Sequence, residues 1–271
     1  MSLSPEIRQK EQNLLNKLKT LDSLALAYSG GVDSSYLAAV AHDALQDRCI
    51  MVIADSPSIP RSELRDAVEL AQSRQWNLQV IQTVEHLNKD YQENSGERCY
   101  FCKSELFDKM TLWCSQNHVK QIAYGAIIDD LGDHRPGALA ASEHNVLAPL
   151  QDADLSKDEI RILSRERQLP THSKPSFACL ASRLPVGEKV TVQKLTQIEM
   201  AEEVLKNAGI IQYRARHHND ICRIEVSDDD MESMLLNRLQ IAGEIKKLGY
   251  RHIALDLQGY RTGSTNGLQN K

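Results

Sequence analysis

The stretch Leu24–Ser35 reads LALAYSGGVDSS. Leu24 to Tyr28 is an apolar run of strand length, Ser29, Gly30 and Gly31 make a tight turn, and a helical pattern begins at Asp33. Paired glycines let the backbone take positive φ and approach a ligand with no Cβ in the way. The amides of Gly31 to Ser34 then face outward from a helix N-terminus, where the macrodipole favours an anion. Ser29 and Ser34 add hydroxyl donors, and Asp33 is placed to hold Mg²⁺ beside bound phosphates. The stretch describes a pyrophosphate cradle. It is not the Walker form, because no Gly-Lys-Ser/Thr follows and the loop is too short.

Working outward, the chain alternates strand and helix patterns. Cys49–Asp55 (CIMVIAD) is near-continuously apolar, as in a strand buried on both faces. Arg61–Arg74 has helical spacing, Leu78–Thr83 fits a third strand, and Glu85–Arg98 reads as a polar loop or lid. A helix over Lys103–Gln116 precedes strands at Gln121–Ala126 and Val146–Leu150. This predicts an α/β fold: a doubly wound, parallel, five-stranded sheet with ligands at the carboxyl ends of its strands. Pro149–Leu155 reads as a linker, and Ser156 to Glu159 (SKDE) forms a capping box for a helix through Gln168. Three prolines then interrupt regular structure between Leu169 and Gly187. Beyond them come a helix (Val192–Asn207), antiparallel strands at Ile211–Arg216 and Ile221–Val226, a helix (Asp229–Lys247) and a strand (His252–Leu257). The expected domains are residues 1–170, a linker over 171–187, and a smaller α+β domain over 188–271.

With 271 residues the chain is long enough for two cores, and its net charge of -5 gives no global basic field for nucleic acid. No apolar run reaches the ~20 residues of a membrane helix. The charged N-terminus is unlike a signal peptide, so a cytoplasmic location is expected and the six cysteines read as thiols or metal ligands.

Three cysteines fall in segments that read as loops. Cys99 and Cys102 form a C-x2-C pair in ERCYFCK, and Cys179 lies between two prolines in KPSFACLASR. The pair has ligand spacing for zinc or iron, and a third thiolate leaves one coordination position open. Unligated thiols and a redox-active pair are the alternatives. Cys49, Cys114 and Cys222 fall inside elements and read as small core residues. Lys174 and Arg183 flank Cys179, either as charges that favour its thiolate or as solvated loop residues. Arg214 and Arg216 share one strand face and would clamp a phosphate, unless that face is simply solvated. The acidic run Asp129, Asp130, Asp133 follows the fourth strand and is a candidate for positioning substrate or metal. Glu199 and Glu225 are weaker candidates, read as solvated acids.

SGGVDS resembles the signature of the PP-loop (N-type) ATP pyrophosphatases, which cut ATP between the α and β phosphates to adenylate a substrate. The motifs SGGVDSS, IPRSEL, ERCYFCK, DDLGDHRPG, KPSFACLASRLP, ARHHNDICRIEV and LDLQGYRTGS narrow this. In that order they resemble the ATP-dependent sulfur transferases of nickel-pincer cofactor biosynthesis, over nearly the whole chain. The resemblance implies adenylation of a pyridinium dicarboxylate mononucleotide at a carboxylate, then conversion to a thiocarboxylate. Some members sacrifice the sulfur of one cysteine matching Cys179 and are left with dehydroalanine. Others carry three cysteines, matching Cys99, Cys102 and Cys179, that hold a [4Fe-4S] cluster; this chain has all three. The resemblance implies ATP, Mg²⁺ and the cluster as cofactors, and a homo-oligomer. It puts Ser29, Gly30, Gly31, Asp33 and Ser34 on ATP, Asp33 and Cys179 in catalysis, and Ser182, Arg183, Arg214 and Arg216 on the substrate. A PP-loop tRNA thiolase, an ammonia-using synthetase of the GMP or NAD type, and a non-catalytic nucleotide-binding regulator remain the rival readings.

Overall fold

The computed structural model describes residues 4–131, 136–175 and 178–261. Helix α1 (Pro5–Lys19) leads into β1 (Leu24–Ala27), α2 (Val32–Leu45), β2 (Cys49–Asp55), α3 (Arg61–Ser73) and β3 (Leu78–Gln82). There follow α4 (Lys89–Glu93), α5 (Arg98–Gln116), β4 (Gln121–Tyr124), α6 (Pro136–Glu143), α7 (Pro149–Asp152) and α8 (Lys157–Glu166). The chain continues with α9 (Val192–Asn207), β5 (Tyr213–His218), β6 (Ile221–Val226), α10 (Asp228–Leu236), α11 (Arg238–Lys247) and β7 (His252–Leu255). The chain divides into two compact units. One comprises Met1–Ser56, Arg61–Glu85 and Glu97–Phe177, and the other Pro57–Pro60, His86–Gly96 and Ala178–Lys271.

In the first unit the strand order is β3-β2-β1-β4, all parallel. Alternation along the strands sorts the core into two layers. Leu24, Leu26, Met51 and Ile53 face one layer with Leu14, Leu37, Val40 and Ile160, while Ala25 and Val52 face the other with Phe107 and Met110. Helices cover both faces, which is the doubly wound architecture expected. The fifth strand expected at Val146–Leu150 shrinks to one parallel bridge, Leu147 to Ala123. Pro149 cannot donate to a ladder and instead opens α7, so the sheet stops at four strands.

The second unit is built on a mixed sheet in which β5 pairs antiparallel with β6, and β6 pairs parallel with β7. Its core gathers Leu205, Ala215, Ile224, Met234, Ile241 and Ile245. β5 begins two residues later than the alternation indicated, because the amides of Ile211 and Gln212 go to the Asp230 carboxylate at 3.1 and 2.8 Å. The helix expected over Asp229–Lys247 is broken at Asn237 into α10 and α11. The segment expected as a polar loop, Glu85–Arg98, contains α4, capped by Asn88, and carries the buried Tyr91, whose hydroxyl lies 2.6 Å from Ser58 Oγ. Among the described residues, no helix is long and apolar enough to cross a membrane.

Candidate active site

The loop Ser29–Gly31 joins β1 to α2 as expected. Gly30 sits at φ +70°, and a Cβ there would come within 2.5 Å of Ala67 Cβ, so only glycine fits. Ser29 Oγ and Ser34 Oγ lie 2.9 Å apart and Ser29 N donates to Ser34 Oγ at 3.2 Å, which folds the loop back on its helix. The N-cap of α2 is Gly31, with no side-chain cap, so the first-turn amides are left for a ligand. Gly125, just after β4, closes on the same turn: a Cβ there would meet Ser34 N at 3.1 Å. These are the features of a cradle that admits phosphate oxygens against bare backbone, and they fit ATP.

Charged groups of the first unit converge on this loop. Lys157, the first residue of α8, places Nζ 2.7 and 2.9 Å from the two Asp33 carboxylate oxygens. Lys174 donates to Gly30 O at 3.3 Å and pairs with Glu63 at 2.6 Å. Lys174 is thus tied to the glycine loop and to α3. Arg161 holds the same segment through the carbonyls of His172 and Lys174. In the acidic run, Asp129 accepts the Lys157 N–H at 3.0 Å and Asp130 accepts the Ile127 N–H at 3.1 Å; Asp133 lies outside the described residues. A recess of about 320 Å³ opens beside the loop, between Asp66 and Leu70 of α3 and Thr171 to Lys174.

In the second unit the short turn Leu180–Arg183, entered at Cys179, is tied to α9 by a buried ion pair and to β5 by a hydrogen bond. Arg183, 1% exposed, binds Glu202 through Nε and Nη2 at 2.9 and 3.2 Å. Its Nη1 donates to the carbonyls of Ala178 and Cys179 and to Ser182 Oγ. So Arg183 grips the backbone around Cys179. Arg216 donates to Ser182 O at 3.0 Å and pairs with Glu225 at 2.9 Å. Glu225, expected to be solvated, is fully buried on β6 and also binds Arg223, which reaches Asp256. Arg214 lies with its guanidinium 4.9 Å from the Tyr260 ring. Burial, and then the nearby charges of Arg183 and Arg216, press its pKa below the usual arginine value, and an anion would relieve that pressure. Cys179, Ser182, Arg183, Arg214 and Arg216 therefore share one end of this unit, whereas Glu199 lies on α9, half-buried.

Glu202 is the member of this network that sequence reading passed over, since one acid on a helix carries no local signal. Its Oε1 also accepts the Ala215 N–H at 3.1 Å, so it joins α9, the cysteine turn and β5. Replacing it by Gln strands a buried guanidinium, and we expect a loss of about 3–5 kcal/mol of stability. Urea unfolding followed by circular dichroism measures this; a loss below about 1 kcal/mol, the range of an exposed ion pair, would show the network to be dispensable.

Cys99 and Cys102 lie in the first turn of α5, not in a loop, because that helix starts at Arg98, five residues earlier than expected. Spacing of three on a helix still puts both thiols on one face. Cys99 is exposed and Cys102 half-buried, while Cys49, Cys114 and Cys222 are buried as expected, with thiol pKa values pushed up by burial to about 12, 11 and 12. Lys103, next along α5, stands over the Tyr124 ring at 4.5 Å. Among the described residues, no group of three or more His, Cys, Asp or Glu is arranged to hold a metal ion.

Comparison with known proteins separates the loop from the rest. The NAD synthase family profile matches residues 6–109, which hold the cradle and end within α5. An uncharacterized protein of Synechocystis sp. is 36% identical over 98% of this chain and 100% of its own length. The pyridinium-3,5-bisthiocarboxylic acid mononucleotide synthase of Lactiplantibacillus plantarum is 31% identical over 97% of this chain and 95% of its own. The chain belongs to the family of that synthase. An uncharacterized protein of Methanocaldococcus jannaschii, 29% identical over 93% of this chain and 96% of its own, extends the set. Members of this synthase family are ATP-binding PP-loop transferases of nickel-pincer cofactor biosynthesis, and the protein is accordingly an enzyme that uses ATP and Mg²⁺.

Proposed function

We propose that the protein is a sulfur transferase that adenylates a carboxylate of a pyridinium dicarboxylate mononucleotide and converts it to a thiocarboxylate. The carboxylate oxygen attacks the α phosphorus of ATP, pyrophosphate leaves, and a sulfur nucleophile then displaces AMP at the acyl carbon. Ser29, Gly30, Gly31, Asp33 and Ser34 bind the phosphates. Arg214 and Arg216, with Ser182 and Arg183 behind them, receive the mononucleotide phosphate. The observation that carries this reading is the bond from Arg216 to Ser182 O at 3.0 Å, which couples the arginine face to the turn bearing Cys179. A regulator that only sensed nucleotide would not need a cysteine turn held by a buried ion pair to α9 and hydrogen-bonded to an arginine strand.

In this reading Cys99, Cys102 and Cys179 supply the thiolates for a [4Fe-4S] cluster, on the support of thiols left accessible while the other three are buried. When bound, the cluster supplies an iron without a protein ligand, able to carry an exchangeable sulfide. The exposed leucines Leu236 and Leu239, 76 and 79% exposed around the α10–α11 break, support a homo-oligomer. Pyrophosphate release tests the function. It is expected to depend on the pyridinium mononucleotide and to ignore tRNA; release that depends on tRNA or on ammonia would overturn the proposal.

A further inference from the structure

The segment that follows α8 is held by arginines rather than by a ladder. It runs through the short turn Pro170–Ser173 and ends on Lys174 and Pro175. Arg74, just past α3, donates to Gln168 O at its start. Arg161, on α8, donates to His172 O at 2.8 Å and to Lys174 O at 3.0 Å at its end. Both arms of the Arg161 fork therefore serve one short stretch of backbone. That stretch delivers the Lys174 ammonium to Gly30 O at 3.3 Å and to Glu63 at 2.6 Å.

Gly30 O belongs to the peptide group of the loop that joins two glycines. Such a peptide turns over readily, because neither residue has a Cβ to resist the change in ψ of Gly30 and φ of Gly31. A trans peptide carries its C=O and its N–H on opposite sides. With Gly30 O turned to Lys174, the Gly31 N–H faces the other way, toward Ser29 Oγ at 3.4 Å, on the side of the cradle. Turned over, the same group would offer the phosphates a carbonyl in place of a donor. We infer that Arg161, Lys174 and Glu63 form a latch on this peptide. Lys174 holds the N–H toward the cradle, Glu63 holds the ammonium, and Arg161 holds the segment that delivers it. All three are positioning residues, and the lysine acts on the loop, not on the nucleotide. The inference rests on the reading of the Ser29–Ser34 loop as the phosphate cradle.

The test measures ATP binding and thermal midpoints for the wild type, Arg161→Met, Lys174→Met, the double variant and Glu63→Gln. A protein that presents the competent loop only part of the time binds more weakly by that fraction. Loss of the charge-assisted bond in Lys174→Met should weaken ATP binding roughly tenfold or more. Arg161→Met should weaken it in the wild type and add little in Lys174→Met, because both act through one bond. Glu63→Gln separates a latch from a phosphate ligand. A latching lysine without its carboxylate holds Gly30 O less well, so ATP binding should weaken. A lysine that binds phosphate would be released, and tighter ATP binding would overturn the inference. Equal losses from Arg161→Met with and without Lys174, following the thermal midpoint, would show a merely structural arginine and overturn it as well. If Arg161→Met does not fold, the partly exposed Lys174 still decides, because unchanged ATP binding in Lys174→Met defeats the latch while the cradle stands. A wild type that binds no ATP defeats the cradle reading itself.

Discussion

Asp33→Ala should abolish formation of AMP and pyrophosphate while the protein stays folded. Asp33 stands in the first turn of α2 beside uncapped amides, where in the proposed function it would hold Mg²⁺. Removing one group aimed at charge that develops in the transition state typically costs on the order of 10²–10³ in rate, and removal of a metal ligand adds to that. It pairs with Lys157, both side chains about a quarter exposed, so the fold should lose little, about 1 kcal/mol or less. Coupled detection of pyrophosphate, with the thermal midpoint as a control, separates the two effects. Unchanged turnover, or ADP and phosphate in place of AMP and pyrophosphate, would sink the PP-loop assignment of this residue.

Variants of the cysteine trio should abolish sulfur transfer without touching that first half-reaction. Cys179→Ala, Cys99→Ala and Cys102→Ala are each expected to release pyrophosphate in the presence of the mononucleotide and to make no thiocarboxylate. Anaerobically purified wild type should contain iron and acid-labile sulfide, which all three variants lose. With added sulfide it should turn over repeatedly and keep the mass of Cys179. If Cys179 acts instead as a sacrificial donor, Cys99→Ala and Cys102→Ala stay as active as wild type. The mass of the Cys179 peptide then falls to that of dehydroalanine after one turnover. That pattern would overturn the cluster while leaving the sulfur transferase intact.

What the sequence reveals of this molecule follows the range of the forces involved. The β1–α2 turn is legible because its determinants are local: two glycines, a hydroxyl on either side and an apolar strand before them. α9 and β6 begin and end where periodicity sets them, Val192 to Asn207 and Ile221 to Val226. The misplaced elements are those decided at a distance. The start of β5 is set by the carboxylate of Asp230 on another element, and the fifth strand fails at a proline beside a sheet edge only four residues long. The same holds in the site. Glu202 and Glu225 look like any acid on a helix or strand until the fold closes over Arg183 and Arg216. Lys157 hides inside SKDE, a motif whose other letters fully explain themselves as a helix cap. Its pairing with Asp33 becomes visible only when α8 is set against α2.

The division of the six thiols into three buried and three accessible turns the protein into its own counting device. At neutral pH a thiol whose pKa is raised to 11 or 12 is almost wholly protonated, and a reagent must wait for the core to open before it can react. Rapid alkylation of native protein should therefore stop at three equivalents, and at none when the accessible trio is fully ligated. The number of quickly modified cysteines becomes a direct gauge of site occupancy in any preparation, with each slow further equivalent reporting unfolding.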